Sequence, residues 1–127
     1  MTKSILVVDD DAAIARLYAT ALGQLGEVQV AESGLAAVAM LAVRSFDAVI
    51  LDLRMPGMGG LDVLDKAFSE GKHAGTAVFV VTADQSDEMR MSALKRGAVF
   101  QFTKPVPLRV LVEQVRSQLD RKRSLKP

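Results

Sequence analysis

Short apolar runs alternate along the chain with segments whose apolar positions recur every three or four residues. The runs are Ile5–Val8, Val28–Ala31, Ala48–Leu51, Ala77–Val81 and Val99–Phe102. They are brief and rich in Val, Ile and Phe, and most lack polar alternation, the pattern of strands covered on both faces. Between them, Ile14, Leu17, Tyr18, Ala21, Leu22 and Leu25 follow the i, i+3, i+4, i+7 stripe of an amphipathic helix. Leu108, Leu111, Val112, Val115 and Leu119 do the same near the C-terminus. An Ala-rich segment, Leu35–Leu41, predicts a helix capped by Ser33, and Asp87–Arg96 a weakly amphipathic one.

Boundary signals agree with this division. Ser86 precedes Asp87 and Glu88, acids that the macrodipole favours at a helix start. Pro107 suits the first turn of the last helix, and Gly26 and Gly97 fall where helices should stop. Strand–helix alternation of this kind predicts an α/β fold, a parallel sheet with helices on both faces joined by right-handed crossovers.

Composition narrows the picture. The 127 residues make a single domain, long enough to hide roughly two-thirds of the unfolded surface without staples. A net charge of +1 argues against direct nucleic-acid binding, and the absence of cysteine excludes disulfides and thiolate metal sites. No apolar run approaches the roughly 18 residues of a membrane span, and Asp9 ends the first run too early for a signal peptide. We therefore expect a cytoplasmic protein that makes no membrane contact. The ending "LDRKRSLKP" loses its apolar period and turns basic. It reads as a solvated helix end, with the domain closing at 121 and residues 122–127 forming a tail or the start of a linker.

In such a sheet, ligands sit beyond the carboxyl ends of the strands. The first run delivers Asp9 and Asp10, the third Asp52, the fourth Thr82 and the fifth Lys104. All fall on one sheet edge. Two carboxylates about 4 Å apart repel by roughly 4 kcal/mol at an effective dielectric near 20. One would take up a proton unless positive charge intervened. Lys104 alone is too little for three acids, whereas Mg²⁺ accepts carboxylate oxygens and waters together. A carboxylate that attacks a phosphoryl group needs positioning and charge neutralisation above all. Metal, ammonium and hydroxyl together meet that need.

With "ILVVDDD", "DLRMPGMGG", "VVTAD" and "FTKP" in this order, the chain resembles the receiver domain of two-component response regulators from about Ser4 to Asp120. The resemblance implies a CheY-like, flavodoxin-like (βα)5 sheet of order 2-1-3-4-5 with five helices. It implies that Asp52 is the phospho-acceptor, that Asp10 and Asp52 ligate Mg²⁺ directly, and that Asp9 does so through water. Arg54 would offer its backbone carbonyl to the metal, Thr82 would hydrogen-bond the phosphoryl group, and Lys104 would pair with it. The Lys104–Pro105 bond would be cis. The implied partners are a sensor histidine kinase or a histidine phosphotransfer protein. Output would pass through the face of the fourth helix, fifth strand and fifth helix, to an output domain, a downstream protein or a homodimer partner. Phosphotransfer onto itself, rather than turnover of a separate substrate, is the activity implied.

One position departs from the family. Receivers usually carry Tyr or Phe three residues before the Lys, as a switch partner of Thr82; here Gln101 stands between Phe100 and Phe102. Arg54 and Asp84 lie two residues past the acceptor and the threonine, and a salt bridge between them would obstruct the water that removes the phosphate. Other features read as structural. Asp11 caps the first helix, "MPGMGG" forms a turn that aims Asp52, the six Met fill space, Tyr18 is partly buried core and His73 a solvated loop residue. An aspartate-nucleophile phosphohydrolase of the haloacid-dehalogenase kind wants a second Asp where Arg54 stands. A flavin module wants a phosphate-cradling loop after the first strand. A docking module that is never phosphorylated would lack part of the acidic, hydroxyl and ammonium set.

Overall fold

The computed structural model describes residues 2–84 and 86–124, excepting the side chains at 70 and 122–124. Five strands, β1 (Ser4–Val8), β2 (Glu27–Ala31), β3 (Ala48–Leu51), β4 (Ala77–Thr82) and β5 (Phe100–Thr103), alternate with five helices. These are α1 (Ala12–Leu22), α2 (Gly34–Val43), α3 (Gly60–Ala67), α4 (Asp87–Lys95) and α5 (Leu108–Ser124). The strands form one parallel sheet of order β2-β1-β3-β4-β5, the flavodoxin-like arrangement expected.

Period-2 geometry sorts the apolar strand residues onto two faces. Leu6, Val8, Val49, Leu51, Val78 and Val80 meet α2, α3 and α4, while Ile5, Val7, Ile50, Phe79 and Val81 meet α1 and α5. The three central strands are buried throughout apart from half-buried Ser4 at the start of β1. The edge strands β2 and β5 are only partly covered, since each has one sheet neighbour.

Caps fall where hydroxyl and carboxylate side chains predict them. Asp11 Oδ1 accepts from Ala13 N at 3.0 Å and Ile14 N at 3.1 Å, Ser33 Oγ from Ala36 N, and Ser86 Oγ from Met89 N. Pro107 immediately precedes α5 and its carbonyl accepts from Leu111 N. Gly97 ends α4 in the left-handed region at φ +99°, as predicted.

Five local readings change. The first helix stops at Leu22 with Gly23 as its cap, so Leu25 lies beyond it. Gly26 is therefore not a helix stop; it opens β2, where a Cβ would lie 2.3 Å from the Lys3 carbonyl oxygen. Helix α3 was implied only by the family resemblance, yet it buries Gly60, Val63, Leu64 and Ala67 at the i, i+3, i+4, i+7 spacing. Tyr18 is 6 % exposed and fully part of the core. His73 is no solvated loop residue either: it is half-buried at φ +56°, its ring 5.4 Å from that of Phe68. A 3-10 turn over Ser69–Gly71 folds the chain back and brings the two rings together. The end of the predicted tail, residues 125–127, lies outside the described residues.

Gly60 sets how closely α3 approaches the acidic edge. A Cβ there would sit 2.5 Å from the Asp52 carbonyl oxygen and 2.7 Å from Leu53 Cα, both backbone atoms that cannot step aside. Gly60→Ala is expected to destabilise the fold by about 1–3 kcal/mol, as overpacking does. Urea unfolding measures this, and an unchanged midpoint would contradict the close approach.

Candidate functional site

The site residues extend the sheet rather than hang from it. Past the strand ends, Asp9 N donates to Ala31 O, Asp52 N to Val8 O and Lys104 N to Thr82 O, at 3.2, 3.0 and 2.9 Å. The ladder thus fixes three of the predicted residues at one height. Asp9, Asp52 and Thr82 are buried polar residues at 2, 6 and 5 % exposure, and Asp10 opens to solvent.

Asp9, Asp10 and Asp52 each offer a carboxylate oxygen within 4.8 Å of the others. Lys104 Nζ lies between two of them, donating to Asp9 Oδ2 at 2.8 Å and Asp52 Oδ2 at 3.0 Å. The Lys104–Pro105 peptide is cis, as implied. Backbone amides take the remaining oxygens, Asp11 N on Asp9 Oδ1 and Arg54 N on Asp52 Oδ1. One ammonium facing three carboxylates leaves a surplus of negative charge. An all-oxygen set of this kind, with one member open to water, could hold a hard metal ion.

Burial raises the Asp52 carboxyl above the ordinary carboxylate range, and the charge of Asp9 adds to this. The Lys104 hydrogen bond and charge and the Arg54 amide oppose the shift without cancelling it. For Lys104, burial works to lower the pKa, but its bonds to Asp9 and Asp52 prevail and raise it, so the ammonium stays charged. Burial likewise raises the Tyr18 phenol, which also feels Lys104, Asp9 and Asp52. Its place on the helical stripe gave no sign of this electrostatic link to the site.

Two further groups frame the site. Arg54 Nε donates to Asp84 Oδ2 at 2.9 Å, and Nη2 reaches the same oxygen. Asp84 is held down at about 2, first by the Ser86 amide and then by Arg54. Thr82 Oγ1 accepts from Asp84 N at 3.3 Å. Gln101 turns away from the aromatic row, in which Phe79 and Phe100 stack at 5.5 Å. Its Nε2 donates to the Arg90 carbonyl at 2.8 Å, tying β5 to α4. Sequence flagged the missing ring at Gln101 but gave no hint of this partner.

Because the folded state raises the Asp52 pKa, the ionised carboxylate weakens the fold. That penalty is absent below the ordinary carboxylate range and complete above the raised folded value. With divalent metal chelated, Asp52→Asn should melt higher than the parent near pH 7, the gap closing toward about pH 4. A lower melting temperature near neutrality would contradict the assignment.

Comparison with known proteins agrees with the geometry. A family model for the response regulator receiver domain matches residues 5–116. The probable transcriptional regulatory protein TcrX of Mycobacterium tuberculosis is 35% identical over 119 residues, 93% of this chain and 50% of that protein. This chain therefore spans about half the length of that relative. Chemotaxis protein CheY-3 of Vibrio cholerae is 33% identical over 113 residues, 87% of each chain. A CheY-like receiver domain from Methanospirillum hungatei superposes with a TM-score of 0.92 at 30% identity, covering 99% of this chain and 100% of that one. Sequence, sheet order and the strand-end acids agree, and this chain belongs to the response regulator receiver domain family of two-component systems.

Proposed function

We propose that this receiver takes a phosphoryl group onto Asp52 from a phosphohistidine of a sensor kinase or phosphotransfer protein, with Mg²⁺ bound at Asp9, Asp10 and Asp52. The observation that carries the reading is the convergence of three carboxylates, two of them bonded to one half-buried ammonium. Asp52 presents an ionised oxygen to phosphorus; as the O–P bond forms, the donor's N–P bond breaks and its electron pair stays with the imidazole. Lys104 exchanges an Asp52 oxygen for a phosphoryl oxygen, and the Thr82 hydroxyl donates to another. The bound ion would supply charge neutralisation, held by the acids and by the Arg54 backbone carbonyl. Transfer of this kind is positioning and electrostatics, which the ladder-fixed groups provide.

The receiver domain spans residues 1–121, with α5 continuing to Ser124, and acts in the cytoplasm as a switch without turnover of a separate substrate. The conformational signal leaves through the face of α4, β5 and α5, toward an output domain, a downstream protein or a second copy. No helix among the described residues is long and apolar enough to cross a membrane. Arg54 stands where a phosphohydrolase would need its general acid, which disfavours that alternative.

Incubation with acetyl phosphate and Mg²⁺, followed by intact mass, should give a single phospho-adduct that chelation or Asp52→Asn abolishes. Release of phosphate from phosphomonoesters without an adduct would favour the hydrolase instead. No adduct and no turnover would leave only a docking module.

The Arg54–Asp84 bridge joins residues two positions past the acceptor and the threonine, and there it would narrow the approach of water. Arg54→Asn should therefore lose its phosphate faster than the parent once the donor is removed. Unchanged or slower decay would refute the shielding role.

A further inference from the structure

Helix α2 is unlike the other four. Its ten residues, GLAAVAMLAV, include no polar side chain. Only part of that surface is used for packing: Gly34, Ala37 and Leu41 are buried. On the outer side, Leu35 is 68% exposed and Val43 82%, with Ala39 and Ala42 exposed between them. Positions 35, 39, 42 and 43 follow helical spacing and therefore form a second apolar stripe, directed at solvent. Isolated exposed apolar residues need no explanation, but a continuous stripe does.

The stripe runs into a cleft of about 530 Å³ at the C-terminal end of α2. Ala42 and Val43 form one wall, and Arg44, Lys66, Lys72 and His73 stand around it, with no acid among its lining residues. Arg44 lies over the Phe46 ring and reaches Glu27 at 3.4 Å. Neither Lys66 nor Lys72 takes part in an ion pair among the described residues. His73 Nδ1 is the one buried side-chain polar atom without a hydrogen-bond partner among the described residues. Helix α2 runs from the acidic edge back to the start of β3, so this cleft lies at the opposite end of the sheet from Asp52.

We propose that the outer face of α2 and this cleft form a docking surface for an amphipathic helix of another protein, apolar along one side and acidic where it meets the cleft. Apolar anchors at helical spacing would cover Leu35, Ala39 and Val43, and a carboxylate would enter between Lys66, Lys72 and His73. Charge complementarity selects this occupant. A second copy placed parallel on α2 would set the two basic rims against each other; placed antiparallel, it would offer each cleft only the single Glu32 that precedes α2, against both Lys66 and Lys72. A polyanion such as nucleic acid would make no use of the stripe. A helix of ten residues spans about 15 Å, so the contact belongs with small, transient interfaces.

The test uses a synthetic helical peptide of about 18 residues, with Leu at i, i+3, i+4 and i+7 and Glu on the flanks, beside a twin carrying Lys in place of Glu. Amide shifts of the isotope-labelled protein report where each binds. The Glu peptide is expected to shift residues 34–43 and 66–73 and to bind more tightly than its twin. Val43→Asp should weaken that binding about tenfold or more, and the double variant Lys66→Glu, Lys72→Glu should reverse the preference for Glu over Lys. Equal binding of the two peptides, shifts confined to α4, β5 and α5, no binding at all, or self-association that Val43→Asp abolishes would each overturn the proposal. All three positions lie outside the acidic site, so these variants should still form the Asp52 adduct with acetyl phosphate. Loss of peptide binding with the adduct intact is then a result about α2 alone.

Discussion

The ammonium of Lys104, set between Asp9 and Asp52, is the interaction on which the acidic edge depends. Taken alone, two buried carboxylates this close would not both stay ionised, because desolvation and mutual repulsion both favour protonation. The lysine reverses part of that, and its own raised pKa shows that the two acids compensate it for leaving water. It comes from the far end of the chain, 95 residues from Asp9. The sheet order supplies the meeting: β1 and β3 are neighbours, and β5 is brought alongside by β4.

The chemistry therefore rests on backbone as much as on side chains. Amide bonds that continue the strand ladders set the heights of Asp9, Asp52 and Lys104, and further amides occupy one oxygen of each of the two buried acids. Close approach of α3 through Gly60 closes the same edge from one side. A rigid floor of this kind keeps charged groups in productive positions without reorganisation when a reactant arrives.

Much of this was legible in the sequence, for physical reasons. A strand buried on both faces has to be apolar until it emerges, so the residue that breaks a run marks the sheet edge; Asp9, Asp52 and Thr82 were located that way, and Lys104 lies one residue past the break after Phe102. Helix starts were legible because Asp11, Ser33 and Ser86 satisfy amides that need a partner. The parts that were hidden depend on tertiary approach. Gly26 looked like a helix stop because its close neighbour, Lys3, is remote in sequence. The stripe of α3 opens on Gly60, whose place against Asp52 and Leu53 only the fold reveals, and the half-burial of His73 depends on a turn that returns it to Phe68. The partner of Gln101 is a main-chain carbonyl on α4, which no side-chain pattern encodes.

The outer position of β5 has a mechanical meaning. Strands β1 and β3 are zipped to neighbours on either flank, so sliding one of them would open two seams, whereas β5 is stitched along β4 only. On the face opposite its phenylalanines, Gln101 ties it to α4. Of the strands that bear the acids and the lysine, the lysine's is thus the cheapest to displace, and whatever pulls on that cation is handed directly to the neighbouring helix.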